Sequence, residues 1–319
     1  MHPDSYYNKK LMEFIRNLAQ LRPRHKNCVA TIGNFDGVHL GHQKIIRQLE
    51  DRAHTLQLPT TVIIFEPQPQ EFFIPHEAPA RLTRLREKLL ALRRYDVDRV
   101  LCLRFTEMFA KFSAQDFIQH ILVEGLGVKH LVVGDDFHFG HQRQGNFQTL
   151  LEAGQQYNFN VESQHTFIFE KKRVSSTSIR QVLSEGNIEY AATLLGRPFS
   201  LCGRVRHGQK LGRTIGFPTA NIFLHRHISP LQGVYAVKMH GVANIPVNGV
   251  ANLGMRPTVN GKQLLLEVHL FNFNQSIYGV DVEVEFVTKL RDEKKFNSFE
   301  ELKTQIYQDV DKARSIFMS

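Results

Sequence analysis

Hydrophobic positions in the first half of the chain fall into two alternating kinds of run. Short continuous apolar runs at residues 28–32, 60–65, 100–103 and 130–133 read as buried strands, with a further strand over 159–163. Between them, apolar residues recur at helical spacing: Ile45, Ile46 and Leu49, then the stretches 82–92, 114–123 and 147–157. Leu11, Phe14, Ile15 and Leu18 predict one more amphipathic helix over 9–21, ended by Pro23. Strands alternating with helices predict a parallel sheet covered on both faces, whose ligands bind beyond the carboxyl ends of the strands.

The pattern changes after a short predicted helix over 187–195, which Gly196-Arg197-Pro198 ends. Strands are then predicted at 199–205, 233–240, 245–251, 264–271 and 282–287, with no helix before 299–317. Apolar and charged residues alternate in Val282-Glu283-Val284-Glu285-Phe286, as on a half-wetted sheet. The expected architecture is α/β plus all-β: a Rossmann-like domain over 1–186, then an antiparallel barrel or sandwich with a C-terminal helix over 187–319.

The first strand runs into Gly33-Asn34-Phe35-Asp36-Gly37-Val38-His39-Leu40-Gly41-His42 and then into a helix. A strand, a glycine-rich turn and a helix start make a phosphate site, because free backbone N–H groups and the positive helix end face the ligand. His39 and His42 can each donate to phosphate oxygens and, when protonated, offset charge that builds up between phosphates. Metal binding by the two histidines is the rival reading, but no third ligand stands nearby in sequence.

Other segments carry candidate chemistry beside simpler structural readings. Gly134-Asp135-Asp136-Phe137-His138-Phe139-Gly140 follows the fourth strand, and its phenylalanines could hold a ring or simply pack. Arg173 to Arg180 offers hydroxyls at a helix start, which suits capping as well as an anion clamp. Residues 203–221 hold Gly208, Gly212 and Gly216 with Lys210 and Arg213, a basic loop that is no Walker A motif. Glu267 interrupts the apolar run 264–271; a buried carboxylate there needs a partner, whereas a solvent-facing one is ordinary.

Composition narrows the class. At 319 residues and 42% hydrophobic, the chain suits two ordinary domains. The net charge of +9 is spread over both halves without a basic arm, which argues against a nucleic-acid binder and suits a protein that handles anionic nucleotides. Cys28, Cys102 and Cys202 form neither a disulfide framework nor a zinc pattern. No signal-peptide pattern and no apolar stretch of about 18 residues occurs. A cytoplasmic protein, monomeric or weakly self-associating, with no membrane and no nucleic-acid partner, is the expectation.

The Gly-Asn-Phe-Asp-Gly-Val-His-x-Gly-His segment resembles the nucleotidylyltransferase superfamily, in the form found in the bacterial bifunctional riboflavin kinase/FAD synthetase family. Gly134–Gly140 resembles that family's Gly-x-Asn/Asp-Phe-x-Phe-Gly motif. Ser175-Ser176-Thr177-Ser178-Ile179-Arg180 resembles its Ile-Ser-Ser-Thr-x-Ile-Arg, with Val174 for the isoleucine. Gly212-Arg213-Thr214-Ile215-Gly216-Phe217-Pro218-Thr219-Ala220-Asn221 resembles the riboflavin kinase signature, and Leu290 to Phe296 its Leu-Arg-x-Glu-x-x-Phe. Glu66-Pro67-Gln68-Pro69 departs from the family's Asp-Pro-His-Pro.

The resemblance implies phosphorylation of riboflavin to FMN by the C-terminal domain and adenylyl transfer from ATP to FMN, giving FAD and pyrophosphate, by the N-terminal one. It implies ATP contacts at Gly33, Phe35, Asp36, Gly37, His39, His42, Ser176, Thr177 and Arg180, with His39 and His42 catalytic. Flavin contacts are implied at Asp136, Phe137 and Phe139. In the kinase domain it implies ATP and Mg²⁺ contacts at Gly208, Lys210, Gly212, Thr219 and Asn221, with Thr219 and Asn221 at the metal. Glu267 is the implied base for the ribityl hydroxyl, and Arg291 a flavin contact. Single-activity relatives, a transferase making another nucleotide product and an RNA-binding protein are the rival functions.

Overall fold

The computed structural model describes residues 11–318 except 171, 209–215, 227 and 259–260. Contacts divide the chain into two compact units: residues up to Pro79 with Thr83–Val174, and Ala80–Leu82 with the chain from Ser175 onward.

The first unit is built on a parallel six-stranded sheet. Its strands are β1 (Glu13–Ile15), β2 (Val29–Ile32), β3 (Thr60–Glu66), β4 (Arg99–Arg104), β5 (His130–Gly134) and β6 (Asn160–Gln164), in the order β1-β4-β3-β2-β5-β6. The strands are continuously apolar because both faces are buried. Ala30, Ile32, Ile63, Leu101 and Leu131 join one core cluster, while their neighbours Val29, Val62, Ile64, Val100 and Val132 join the other. Helix α1 (Leu40–Leu56) seals the second cluster with Ile46, Leu49 and Ala53. The first is sealed by α5 (Ala114–Phe117), which runs on as a π-helical turn to Gly125, and by α6 (Phe147–Tyr157). Short helices α2 (Pro69–Phe73), α3 (Leu85–Leu92) and α4 (Glu107–Ala110), and a hairpin of β7 (Ile168–Phe169) and β8 (Lys172–Arg173), complete the unit.

The helix expected over 9–21 is corrected. Glu13–Ile15 is an edge strand paired in parallel with β4, and Leu18–Gln20 is a single 3₁₀ turn. Met12 and Phe14 pack on one core cluster, and Ile15, Leu18 and Leu21 on the other. Phe14 and Ile15 serve the two faces of the edge strand and Leu18 and Leu21 the turn after it, and their spacing only coincides with that of a helix. Pro23 opens a second 3₁₀ turn instead of ending a helix.

The second unit begins with α7 (Ser176–Ser184) and α8 (Ile188–Leu195). A closed barrel follows, with β9 (Ser200–Arg206), β10 (Ala220–Phe223), β11 (Gly233–His240), β12 (Val247–Thr258), β13 (Gly261–Leu270) and β14 (Asp281–Arg291) in the order β10-β13-β12-β11-β14-β9. All these pairs are antiparallel. Of the two expected forms, the sheet takes the barrel. Strand β10 was not expected; it begins at the end of the signature segment and is too short to show a period. Helix α9 (Phe299–Met318) packs Val310 and Ala313 against Phe217, Val234, Phe271 and Leu290.

Candidate active sites

Strand β2 lies between β3 and β5, so the chain reverses its direction across the sheet there. The carboxyl ends at such a switch point open a crevice for ligands. The turn after β2 and the loop after β5 flank it. Asp36 is 2% exposed and accepts from the Thr83 N–H (2.9 Å) and hydroxyl (3.2 Å), while Gly37 N–H donates to the same hydroxyl at 2.9 Å. Phe35, Gly37 and Val38 take φ of +47°, +86° and +42°. That region is costly for a β-branched residue, so the surrounding contacts over-determine the turn.

The turn delivers His39 to the N-cap of α1, where its Nδ1 accepts weakly from His42 N–H at 3.4 Å. The two imidazoles stack at 3.7 Å and 20°, and Phe35 backs His42 at 4.9 Å. A glycine at 41 lets the chain pass close to the His39 ring, from which a Cβ would lie 3.2 Å away. Gly33 keeps a similar clearance from Phe35, at 3.2 Å. The result is a pair of stacked rings, with His39 as N-cap, set at the positive end of a 17-residue helix.

In the loop after β5, the two phenylalanines part ways. Phe139 is 6% exposed, belongs to the core and packs on Phe117 at 5.3 Å. Phe137 stacks on it at 5.6 Å and remains half-buried. The exposed carboxylate of Asp136 pairs with Arg173. Asp135 is tied to Thr166; although burial works against its charge, those hydrogen bonds, Arg173 and His165 hold its pKa below the ordinary value.

At α7, Ser175 and Ser178 form the capping box, so the capping reading holds for these two hydroxyls. Ser176 and Thr177 stand in the first turn, and Arg180 Nε donates to Ala80 O at 2.6 Å.

In the second unit, Asn221 on β10 and Glu267 on β13 are direct cross-strand partners. Leu264, Leu266 and Val268 are buried, which turns Gln263, Glu267 and His269 to the opposite, half-buried face. Glu267 is therefore not inside the apolar core. Its partner is Arg256, whose Nη2 lies 2.9 Å from Oε2. Phe217 packs edge-on to His269 at 5.2 Å and to Tyr307 at 4.7 Å, and Pro218 O faces His269 Nδ1 at 2.9 Å. The Phe-Pro-Thr segment thus lies beside Glu267. Burial outweighs the Pro218 contact and lowers the His269 pKa.

Asn221 is 7% exposed, and a Cβ on Gly208 would fall 2.3 Å from its amide nitrogen, so only glycine lets the two segments meet. Lys210 and Gly212 lie outside the described residues. Arg291 directs Nε and Nη2 to Asp309 of α9, at 2.8–3.1 Å, and lies near the Phe296 ring. The sequence pattern did not single out Thr83 or Arg256: Thr83 is 47 residues from Asp36, and although Glu293 is the glutamate of the Leu-Arg-x-Glu-x-x-Phe segment, nothing there points to its ion pair with Arg256.

A glycine-rich turn with two histidines at the switch point of a parallel sheet, joined in one chain to a barrel with an amide–carboxylate pair under a glycine approach, has the form expected of a two-unit nucleotide-dependent transferase. Family models match both parts, one described as FAD synthetase over residues 21–178 and one as riboflavin kinase over 195–317. The chain is 51% identical over 316 residues to the bifunctional riboflavin kinase/FMN adenylyltransferase of Haemophilus influenzae, covering 97% of this chain and 100% of that one. It is 50% identical over 308 residues to the protein of that name from Escherichia coli strain K12, covering 97% and 98%. A solved structure described as a macrolide-efflux protein from Streptococcus pneumoniae superposes with a TM-score of 0.80 at 32% identity, over 93% of this chain and 97% of that one. Among the described residues no helix is long and apolar enough to cross a membrane. The chain belongs to the bifunctional riboflavin kinase/FMN adenylyltransferase family. It phosphorylates riboflavin to FMN with the C-terminal domain and converts FMN and ATP to FAD and pyrophosphate with the N-terminal one.

Proposed function

We propose that adenylyl transfer is centred on His39 and His42, with residues 1–186 as the adenylyltransferase domain. A phosphate oxygen of FMN attacks the α-phosphorus of ATP, the new P–O bond replaces the bond to pyrophosphate, and no general base is needed because the nucleophile is already ionised. Positioning and charge stabilisation then carry the rate. Stacked imidazoles at the start of α1 are the observation that supports this reading: two ring donors and a helix end converge where charge develops. Gly33, Phe35, Asp36 and Gly37 shape the nucleotide loop, Asp36 acting through Thr83. Ser176, Thr177 and Arg180, at the start of α7, offer hydroxyls and a guanidinium of the kind that bind phosphate. Phe137 contacts the flavin ring, with Phe139 behind it and Asp136 at the polar edge.

For residues 187–319 we propose Glu267 as the base that takes the ribityl hydroxyl proton while that oxygen attacks the γ-phosphorus of ATP and ADP leaves. Its place opposite Asn221 in the ladder supports this. Thr219 and Asn221 offer oxygen donors of the kind magnesium takes, with few direct protein ligands. Bound Mg²⁺ would neutralise phosphate charge in each site. Gly208 with Lys210 and Gly212 would approach the phosphates, and Arg291 would border the flavin from the rim of the barrel. A cytoplasmic enzyme, as a monomer or a weak homo-oligomer, fits these substrates. Chromatography of the products from riboflavin with ATP, and separately from FMN with ATP, tests the assignment in single-residue variants. Loss of only one activity by each site's variants supports it; equal loss of both rejects it.

A further inference from the structure

Glu267 does not stand alone on its face of the barrel. Arg256 Nε and Nη2 both reach its Oε2, at 3.1 and 2.9 Å, and Nη1 reaches Glu293 Oε1 at 3.1 Å. One guanidinium therefore bridges two carboxylates. All three side chains are about a third exposed, at 37%, 28% and 36%.

Two backbone features build this bridge. Asn252 is the β12 partner of Glu267, and Arg256 stands four residues further along the same strand, on the same face. Gly254 lies between them, and a Cβ there would fall 1.9 Å from Glu293 Oε1. A glycine at that position makes the room in which Glu293 meets Arg256. Burial works against the arginine charge, but the two carboxylates outweigh it and raise its pKa.

We infer that Arg256 is a positioning residue for the kinase reaction, holding the Glu267 carboxylate by one oxygen so that the other meets the substrate hydroxyl. The inference rests on Glu267 being the base. Two guanidinium nitrogens converging on Oε2 fix the position of that oxygen more closely than a single ammonium group such as lysine's would. Glu293 completes the device. When Glu267 accepts the ribityl proton and becomes neutral, it gives up its ion pair, and Glu293 keeps the guanidinium in register for the next turnover. Without Arg256, two carboxylates would also face an incoming triphosphate uncompensated.

The test is steady-state kinetics of riboflavin phosphorylation by the full chain carrying R256M, R256K, E267Q or R256M with E267Q. FMN adenylylation by the same preparations reports whether the protein is folded. R256M is expected to lower kcat by about 10- to 100-fold, as for a misplaced catalytic group, with both KM values within about threefold. R256K recovers only part of kcat. In the E267Q background, R256M costs nothing further, because a residue that acts through another is silent once that other is gone. Wild-type kcat in R256M, a change in KM alone, or a full additional loss in the double variant would overturn the inference. Undiminished phosphorylation by E267Q would instead strike down the base assignment, and the role of Arg256 with it.

Discussion

The two sites of this chain handle the same triphosphate with opposite materials. In the first unit the groups proposed for adenylyl transfer are buried: Asp36 is 2% and His39 6% exposed, and the turn is held in left-handed conformations by Thr83 and the core. In the second, the groups stand on the half-buried face of a barrel and are held by an ion-pair bridge, Glu267–Arg256–Glu293, about a third exposed. A helix end supplies fixed partial charge without a base, which suits attack by an ionised phosphate. A barrel face supplies a carboxylate, which suits attack by a neutral hydroxyl that must lose its proton. The difference in scaffold follows the difference in nucleophile.

The strongest way to break this comparison is E267Q. Phosphorylation of riboflavin is expected to fall by about 10²–10⁴-fold, the usual cost of a lost base, with FAD formation from FMN unchanged. Next is H39A, expected to lower FAD formation by about 10²–10³-fold, as for a lost group that stabilises developing charge, and to spare FMN formation. H39N separates cap from chemistry, since asparagine is a good N-cap but brings no imidazole. Full activity in H39N would reduce His39 to a cap.

Glycine substitutions sharpen the contrast at smaller cost. G208A pushes a methyl group to within 2.3 Å of the Asn221 amide, and G41A to 3.2 Å of the His39 ring. The first is expected to weaken kinase turnover roughly tenfold, the second to affect adenylyl transfer by only a few-fold, because 3.2 Å can be relieved by a small ring shift. Kinetics with saturating ATP reads both. The mildest expected effect on chemistry is R291M. Its guanidinium is bound to Asp309, whose side chain is 7% exposed, so the loss falls on the docking of α9: about 1–3 kcal/mol in denaturant unfolding, from a charged hydrogen bond left unmet.

Much of this was readable in the residues. The buried strands of the first unit announced themselves because both sheet faces are covered, and the strand-turn-helix with His39 and His42 stood out because glycine spacing and ring chemistry coincide. The parallel sheet, the antiparallel strands and the closing helix all followed from periodicity. What was hidden lies in long-range pairing. The edge strand Glu13–Ile15 imitates helical spacing because its neighbours feed two cores. Asp36 looks like a ligand-binding carboxylate, yet it accepts hydrogen bonds from Thr83, 47 residues away. Glu267 looks buried within an apolar run, yet the alternation of the barrel turns it outward to Arg256. The period of a strand tells which residues share a face, but not which face is dry.

The central claim is that the two chemistries depend on separate sets of residues, one around His39 and one around Glu267. The most direct test is product chromatography of H39A and E267Q side by side, each incubated with riboflavin and ATP and, separately, with FMN and ATP. H39A is expected to accumulate FMN without FAD, and E267Q to make FAD from added FMN while leaving riboflavin untouched. Loss of both products in either variant, with the protein folded, would contradict it.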